Sequence, residues 1–170
     1  MILILGAGAV GSTLAALLSA AHREVALYAR PSDLPRLRAI PRIRLTAPDG
    51  RERLNVARPP LVTDLSLEGV TTLILAVKYP ALAAVIDALP DPIPEHCTLV
   101  STLNGVAPLR LWRERRPDAR VIPMSVMMNL QGQNPLQVRL TTAAEVVLGT
   151  DDVRQFEQNW SAILGNDLRT

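Results

Sequence analysis

Cysteine, histidine, lysine and aromatic residues are all scarce in this chain of 170 residues. A single cysteine, Cys97, excludes an internal disulfide and a cysteine-based zinc cluster. The two histidines, His22 and His96, are far apart, so a metal site would have to rest on carboxylates, and no metal is expected. Aromatics make up only 3%, so a core must be built from Leu, Val, Ala and Ile, within a hydrophobic content of 48%. The charges nearly balance as well: a net charge of +2 is too small to announce a nucleic-acid binder. Arg110, Arg113, Arg115 and Arg116 do cluster, but they fall toward the end of an expected helix, where positive charge complements the dipole. The one aromatic among them, Trp112, falls on an apolar helical face as a packing residue, and no nucleic-acid partner is expected. There is no internal repeat, low-complexity tract or flexible linker, and residues 1–170 read as one domain.

What is present begins at the first residue. MILILGAGAVGSTLAALLSAA carries no charge over 21 residues. A secretory leader needs a basic start, which Met1-Ile2-Leu3 does not offer. A membrane-spanning helix of about 20 residues would have to embed three glycines. Gly6, Gly8 and Gly11 instead follow a short apolar run and precede Ser12 to Ala21, which reads as a helix of small residues and leucines. That order is a buried strand, a tight turn and a helix, and no membrane is expected.

Further along, Glu24 to Ala29 reads as a second strand, and residues 31–41 as irregular with at most a helical turn. RIRLT and RERLNVA alternate polar with apolar residues around Pro48-Asp49-Gly50, the pattern of a hairpin insertion. TTLILAV at 71–77 is a continuous apolar run, as expected of a strand buried on both faces. A helix follows from Pro80 to Leu89, a strand from Thr98 to Thr102 and a helix from Val106 to Arg116. Arg120 to Asn129 reads as a further strand, and Val138–Leu140 with Glu145–Leu148 as a late hairpin. A last helix is expected from Asp151 or Asp152, with Val153, Phe156, Trp160 and Ile163 on one face. Strand and helix alternate, which predicts an α/β fold: a Rossmann-type, mostly parallel sheet flanked by helices.

Gly6-Ala7-Gly8-Ala9-Val10-Gly11 is GxGxxG between strand and helix. In that setting the first Gly permits the turn, the second lets backbone amides approach a diphosphate, and the third allows close helix–strand packing. A lone GxGxxG is weak evidence; after a strand and before a helix it predicts dinucleotide binding. An NAD protein usually carries Asp or Glu at the end of the second strand, for the ribose 2′-hydroxyl. Here LYARPSD places Arg30 there. A guanidinium can take a 2′-phosphate bidentately, where an acid would repel it, so NADP(H) is the expected cofactor. The plainer alternative is a solvated arginine closing a strand, and Asp33 stands close by.

With Arg30, the segments AVK at 76–78, NGV at 104–106 and the tail from Met124 into EVVLGT make the chain similar to the N-terminal domain of the ketopantoate reductase family. The resemblance covers essentially all of the chain. It implies reduction of 2-dehydropantoate, a small 2-keto acid, to (R)-pantoate with NADPH, toward pantothenate and coenzyme A. The single cysteine makes a reducing, cytoplasmic setting the default expectation. It also implies that Gly6, Gly8 and Gly11 form the phosphate loop, that Arg30 meets the 2′-phosphate and that Lys78 is a cofactor-pocket lysine. Asn104 would lie beside the nicotinamide and the substrate. Read without the resemblance, Lys78 is a solvated strand-end lysine and Asn104 part of an Asn-Gly turn. Two positions depart from the family pattern: Leu103 where Gln is common, and the mostly apolar Tyr79-Pro80-Ala81-Leu82 after the lysine. Both bear on substrate more than on cofactor. The family's helical C-terminal domain, which supplies the catalytic lysine, is expected to be absent from these residues, since Lys78 is the sole lysine. Apolar surface left by such a domain favours self-association, so a homo-oligomer is a further expectation. A non-catalytic NADP(H)-binding module and a related 2-keto or hydroxy acid dehydrogenase would share every one of these motifs.

Overall fold

The computed structural model describes residues 1–142 and the backbone of 146–148. The strand β1 (Ile2–Leu5) leads through the glycine turn into α1 (Ala9–Ala20), followed by β2 (Val25–Tyr28) and a short α2 (Leu34–Arg38). Then come β3 (Arg42–Thr46), β4 (Glu52–Ala57), β5 (Leu61–Val62), β6 (Thr72–Leu75) and α3 (Tyr79–Ala88). The described chain continues with β7 (Thr98–Ser101), α4 (Val106–Arg115), β8 (Val121–Val126), β9 (Leu130–Asn134), β10 (Gln137–Leu140) and β11 (Val146–Leu148). The opening apolar run is therefore strand, turn and helix. No helix among the described residues is long and apolar enough to cross a membrane.

The main sheet has the order β11-β8-β7-β6-β1-β2-β5. Six of its strands run parallel, and β11 closes one edge antiparallel to β8. Its central strands are mostly apolar because both faces are covered. Along β1 the side chains alternate: Ile2 and Ile4 join the core under α1, Leu3 and Leu5 the core under α3 and α4. Trp112, buried on α4, belongs to the second of these cores.

A second sheet, β4-β3-β10-β9, lies over α1. Ile43, Leu45, Leu136 and Val138 from that sheet share one core with Leu14, Ala15, Ala16 and Leu18 of the helix. A helix enclosed on two sides has little room for bulk, which accounts for its Ala, Gly, Ser and Thr.

Several sequence expectations shift. Helix α1 starts at Ala9, so Gly11 lies inside it. Within residues 31–41, expected to be irregular with at most a helical turn, Leu34–Arg38 form the short α2 with Pro35 in its first turn. The late hairpin exists, but the partner of β10 is β9, while Val146–Leu148 pairs with β8 instead. Leu136 is the cause: it takes a left-handed φ of 58° in the tight turn between Asn134 and Gln137. Its side chain is 1% exposed. Burying a leucine is worth about 1.5–3 kcal/mol, against about 1–2 kcal/mol for a left-handed non-glycine residue. Burial wins, and no glycine marks the turn. The expected helix from Asp151, with Trp160 on its face, lies outside the described residues.

Candidate cofactor site

The site is assembled at the carboxyl ends of the parallel strands. Leu5, Leu75 and Ser101 stand side by side as the last residues of β1, β6 and β7. The strand order runs one way from β1 to β2 and the other way from β6 to β7, which makes this the switch point where open α/β sheets hold ligands.

Each glycine of the loop has its own geometry. Gly6 has φ +112°, and a Cβ there would lie 2.5 Å from the Ala76 carbonyl oxygen. At Gly11 a Cβ would overlap the Gly6 carbonyl oxygen, so helix and turn touch backbone to backbone. Gly8 is different: a Cβ there would meet nothing within 4 Å. Its φ of −77° and ψ of −171° suit any residue. The space above Gly8 is therefore a cradle that a side chain would fill, as a diphosphate-binding turn requires.

Gly8 is the N-cap of α1, with no side-chain cap and no acid in the first turn. The helical ladder starts with the Ser12 amide donating to the Gly8 carbonyl at 2.8 Å, leaving the earlier amides to face outward. That end carries partial positive charge suited to a phosphate. The Ser12 hydroxyl donates to the Ala7 carbonyl at 3.2 Å and the Thr13 hydroxyl to the Ala9 carbonyl at 2.8 Å, which hold the turn in shape. Val10 follows Ala9 in the first helical turn, partly buried against the core.

A cavity of about 410 Å³ opens over this turn. Ala7, Gly8, Ala9 and Ser12 form one wall, Gly132 to Leu136 of the β9–β10 hairpin another, and Arg36 of α2 a third. The hairpin and Arg36 were not legible as site residues. LQGQN has no polar–apolar alternation and a single apolar residue, Leu130, and nothing local to Arg36 ties it to residue 8.

The remaining expected site residues lie apart from this cavity. Arg30 follows β2, is 72% exposed, and its Nε donates to Asp33 Oδ2 at 2.7 Å. Lys78 and Asn104 each stand three residues beyond the end of their strands, β6 and β7, on the same sheet edge. Lys78 is exposed at the start of α3, and Asn104 is exposed ahead of Gly105, whose φ is +89°. Thr102 ties the two segments together: its amide and its hydroxyl both donate to the Leu75 carbonyl at 3.0 Å. Among the described residues no three His, Cys, Asp or Glu side chains gather into a metal site. Cys97 is buried, and burial pushes its thiol up, away from nucleophilic chemistry. Two of the clustered arginines are structural: Arg115 pairs with Asp87, and Arg116 with Asp91 at 2.9 Å.

Residues 2–152 match the family described as Ketopantoate reductase PanE/ApbA. No curated protein matches the chain. Among solved structures, a PanE/ApbA family ketopantoate reductase from Ralstonia eutropha JMP134 superposes with a TM-score of 0.76 at 23% identity, over 96% of this chain and 54% of that one. The 2-dehydropantoate 2-reductase from Porphyromonas gingivalis W83 gives 0.73 at 24% identity, over 95% of this chain and 61% of that one. A D-mandelate dehydrogenase in complex with NADH gives 0.75 at 22% identity, over 98% and 53%. These likenesses establish the shared fold. The chain spans little more than half the length of the structures it matches.

Proposed function

The chain belongs to the ketopantoate reductase family of oxidoreductases, and on that footing we propose that it is the cofactor-binding part of an NADPH-dependent 2-keto acid reductase. The proposed substrate is 2-dehydropantoate, reduced to (R)-pantoate on the route to pantothenate and coenzyme A, in the cytoplasm. The observation that carries this reading is the open space over Gly8, set at a helix start and inside a cavity, where the other two glycines are each filled by backbone contact.

When bound, NADPH supplies the hydride that turns the ketone into an alcohol. The protein's own work is placement. The amides at the start of α1 hold the diphosphate, and Gly6, Ala7, Gly8, Ala9, Val10 and Gly11 shape its seat. An arginine at position 30, where NAD proteins usually carry an acid, supports NADP over NAD. Lys78 and Asn104, on the same sheet edge, suit the nicotinamide end. There the ammonium offers donors only, and the carboxamide both donates and accepts, so Asn104 can orient a ketone or carboxylate.

Calorimetric titration with NADPH and NADH tests the cofactor assignment. NADPH is expected to bind at least tenfold more tightly. Equal affinities would remove the case for NADP, and no binding of either would reduce the glycine loop to a structural turn.

A further inference from the structure

Lys78 and Asn104, assigned above to the nicotinamide end, are exposed, and among the described residues neither side chain has a hydrogen bond of its own. Their relative position is therefore set by the turns that carry them. Those turns are joined at one point. The carbonyl of Leu75, the last residue of β6, accepts from both the amide and the hydroxyl of Thr102, each at 3.0 Å. Lys78 lies three residues beyond Leu75, and Asn104 two beyond Thr102.

The segment that Thr102 holds is already fixed on its other side. The Ala76 amide donates to the Leu5 carbonyl at 2.8 Å. The Ala76 carbonyl presses on the glycine loop so closely that a Cβ on Gly6 would lie 2.5 Å from its oxygen. Leu75-Ala76 is thus seated against the phosphate loop, and the turn after β7 is tied to that seat through Thr102. The amide bond continues the sheet ladder by one residue, and any residue but proline could make it. The hydroxyl bond is different, because it depends on the side chain at 102. It is part-buried, and among the described residues it is the only side-chain hydrogen bond between the two turns.

We infer that Thr102 is a positioning residue, whose hydroxyl sets the spacing of Asn104 from Lys78 and so shapes the nicotinamide end of the site. This rests on the dinucleotide reading and on the roles proposed for Lys78 and Asn104, and it is independent of the choice between NADP and NAD. Without the hydroxyl, the Leu75 carbonyl keeps the Thr102 amide as a donor. Its removal therefore loosens the turn without leaving a buried acceptor unpaired.

The test is calorimetry on the 170-residue chain with two probes, NADPH and 2′-phospho-ADP-ribose, which keeps every part of NADPH except the nicotinamide. Thr102→Val preserves the branched shape and removes the hydroxyl, and thermal unfolding confirms that each variant is folded. Thr102→Val is expected to weaken NADPH about three- to tenfold, the range of one lost hydrogen bond. Binding of 2′-phospho-ADP-ribose should stay at its wild-type strength, and Thr102→Ser should restore NADPH. In a chain that already carries Asn104→Ala, Thr102→Val should add no further loss, the signature of a residue acting through Asn104. Equal weakening of both probes would make Thr102 a plain structural tie and overturn the inference. It is overturned as well if Thr102→Val leaves NADPH untouched while Asn104→Ala or Lys78→Gln weakens it, and the roles of those two residues then stand without Thr102. If neither Asn104→Ala nor Lys78→Gln weakens NADPH, the reading of the nicotinamide end fails and takes the role of Thr102 with it.

Discussion

At the scale of single residues, glycine serves three different physical ends within one loop. Gly6 is required by its backbone angle and by Ala76, Gly11 by the Gly6 carbonyl, and Gly8 by nothing in the protein itself. This separates stability from binding. Gly8→Val should leave the circular dichroism spectrum and the melting temperature near wild type, because its backbone angles suit a β-branched residue. NADPH binding should fall below detection, since the new side chain fills the diphosphate's space. Gly11→Ala should act the other way round. Relieving an overlap with backbone costs on the order of 1–3 kcal/mol or more, which thermal unfolding would register before any ligand is added. A Gly8→Val protein that binds NADPH normally would show that the open space over the loop is not used.

At the scale of elements, α1 is both the electrostatic seat of the site and the centre of packing. It is enclosed by the main sheet below and β4-β3-β10-β9 above, with Ala15 and Ala16 fully buried. Ala15→Leu should therefore destabilise the protein by about 1–3 kcal/mol, as overpacking does in a closed core. For a chain of this size that lowers the melting temperature by roughly 2–4 °C per kcal/mol. Scanning calorimetry is the measurement, and an unchanged transition would mean that the second sheet yields easily. The same enclosure connects stability to function. The β9–β10 hairpin that helps bury α1 through Leu136 also forms the outer wall of the cavity.

At the scale of the whole molecule, three large apolar side chains emerge from one edge. Tyr79, Val106 and Met127 are 50%, 66% and 57% exposed, and they follow β6, β7 and β8, which are neighbours in the sheet. Lys78 and Asn104 share that edge. A ketone reduced there needs a proton for the developing alkoxide, and a positioned general acid contributes about 10²–10⁴-fold. Lys78, the sole lysine, is assigned above to the nicotinamide end. The 170-residue chain is thus expected to bind NADPH yet oxidise it negligibly with ketopantoate, followed as loss of NADPH absorbance. Robust turnover would put the proton donor within these residues and displace Lys78 or Asn104 from the roles proposed for them.

Much of this protein is determined by short-range pattern. The apolar runs of β1 and β6 declare strands buried on both faces, because a polar side chain on either face would be stranded in a core. The spacing of Gly6, Gly8 and Gly11 declares a strand–turn–helix, because backbone geometry at a turn depends on a few adjacent residues. Pro48-Asp49-Gly50 marks its hairpin for the same reason. Tertiary structure alone decided the rest. Leu136 accepts a left-handed turn only because a core waits for its side chain, so β9 and the true partner of β10 were hidden in LQGQN. The pairing of Arg30 with Asp33 was visible as mere proximity, and which of the two would claim the guanidinium was not. Arg36 and Gly8, 28 positions apart in the chain, line one cavity, a juxtaposition created by packing. Local preferences are set by neighbours in sequence, but a cavity is set by which distant surfaces bury against each other.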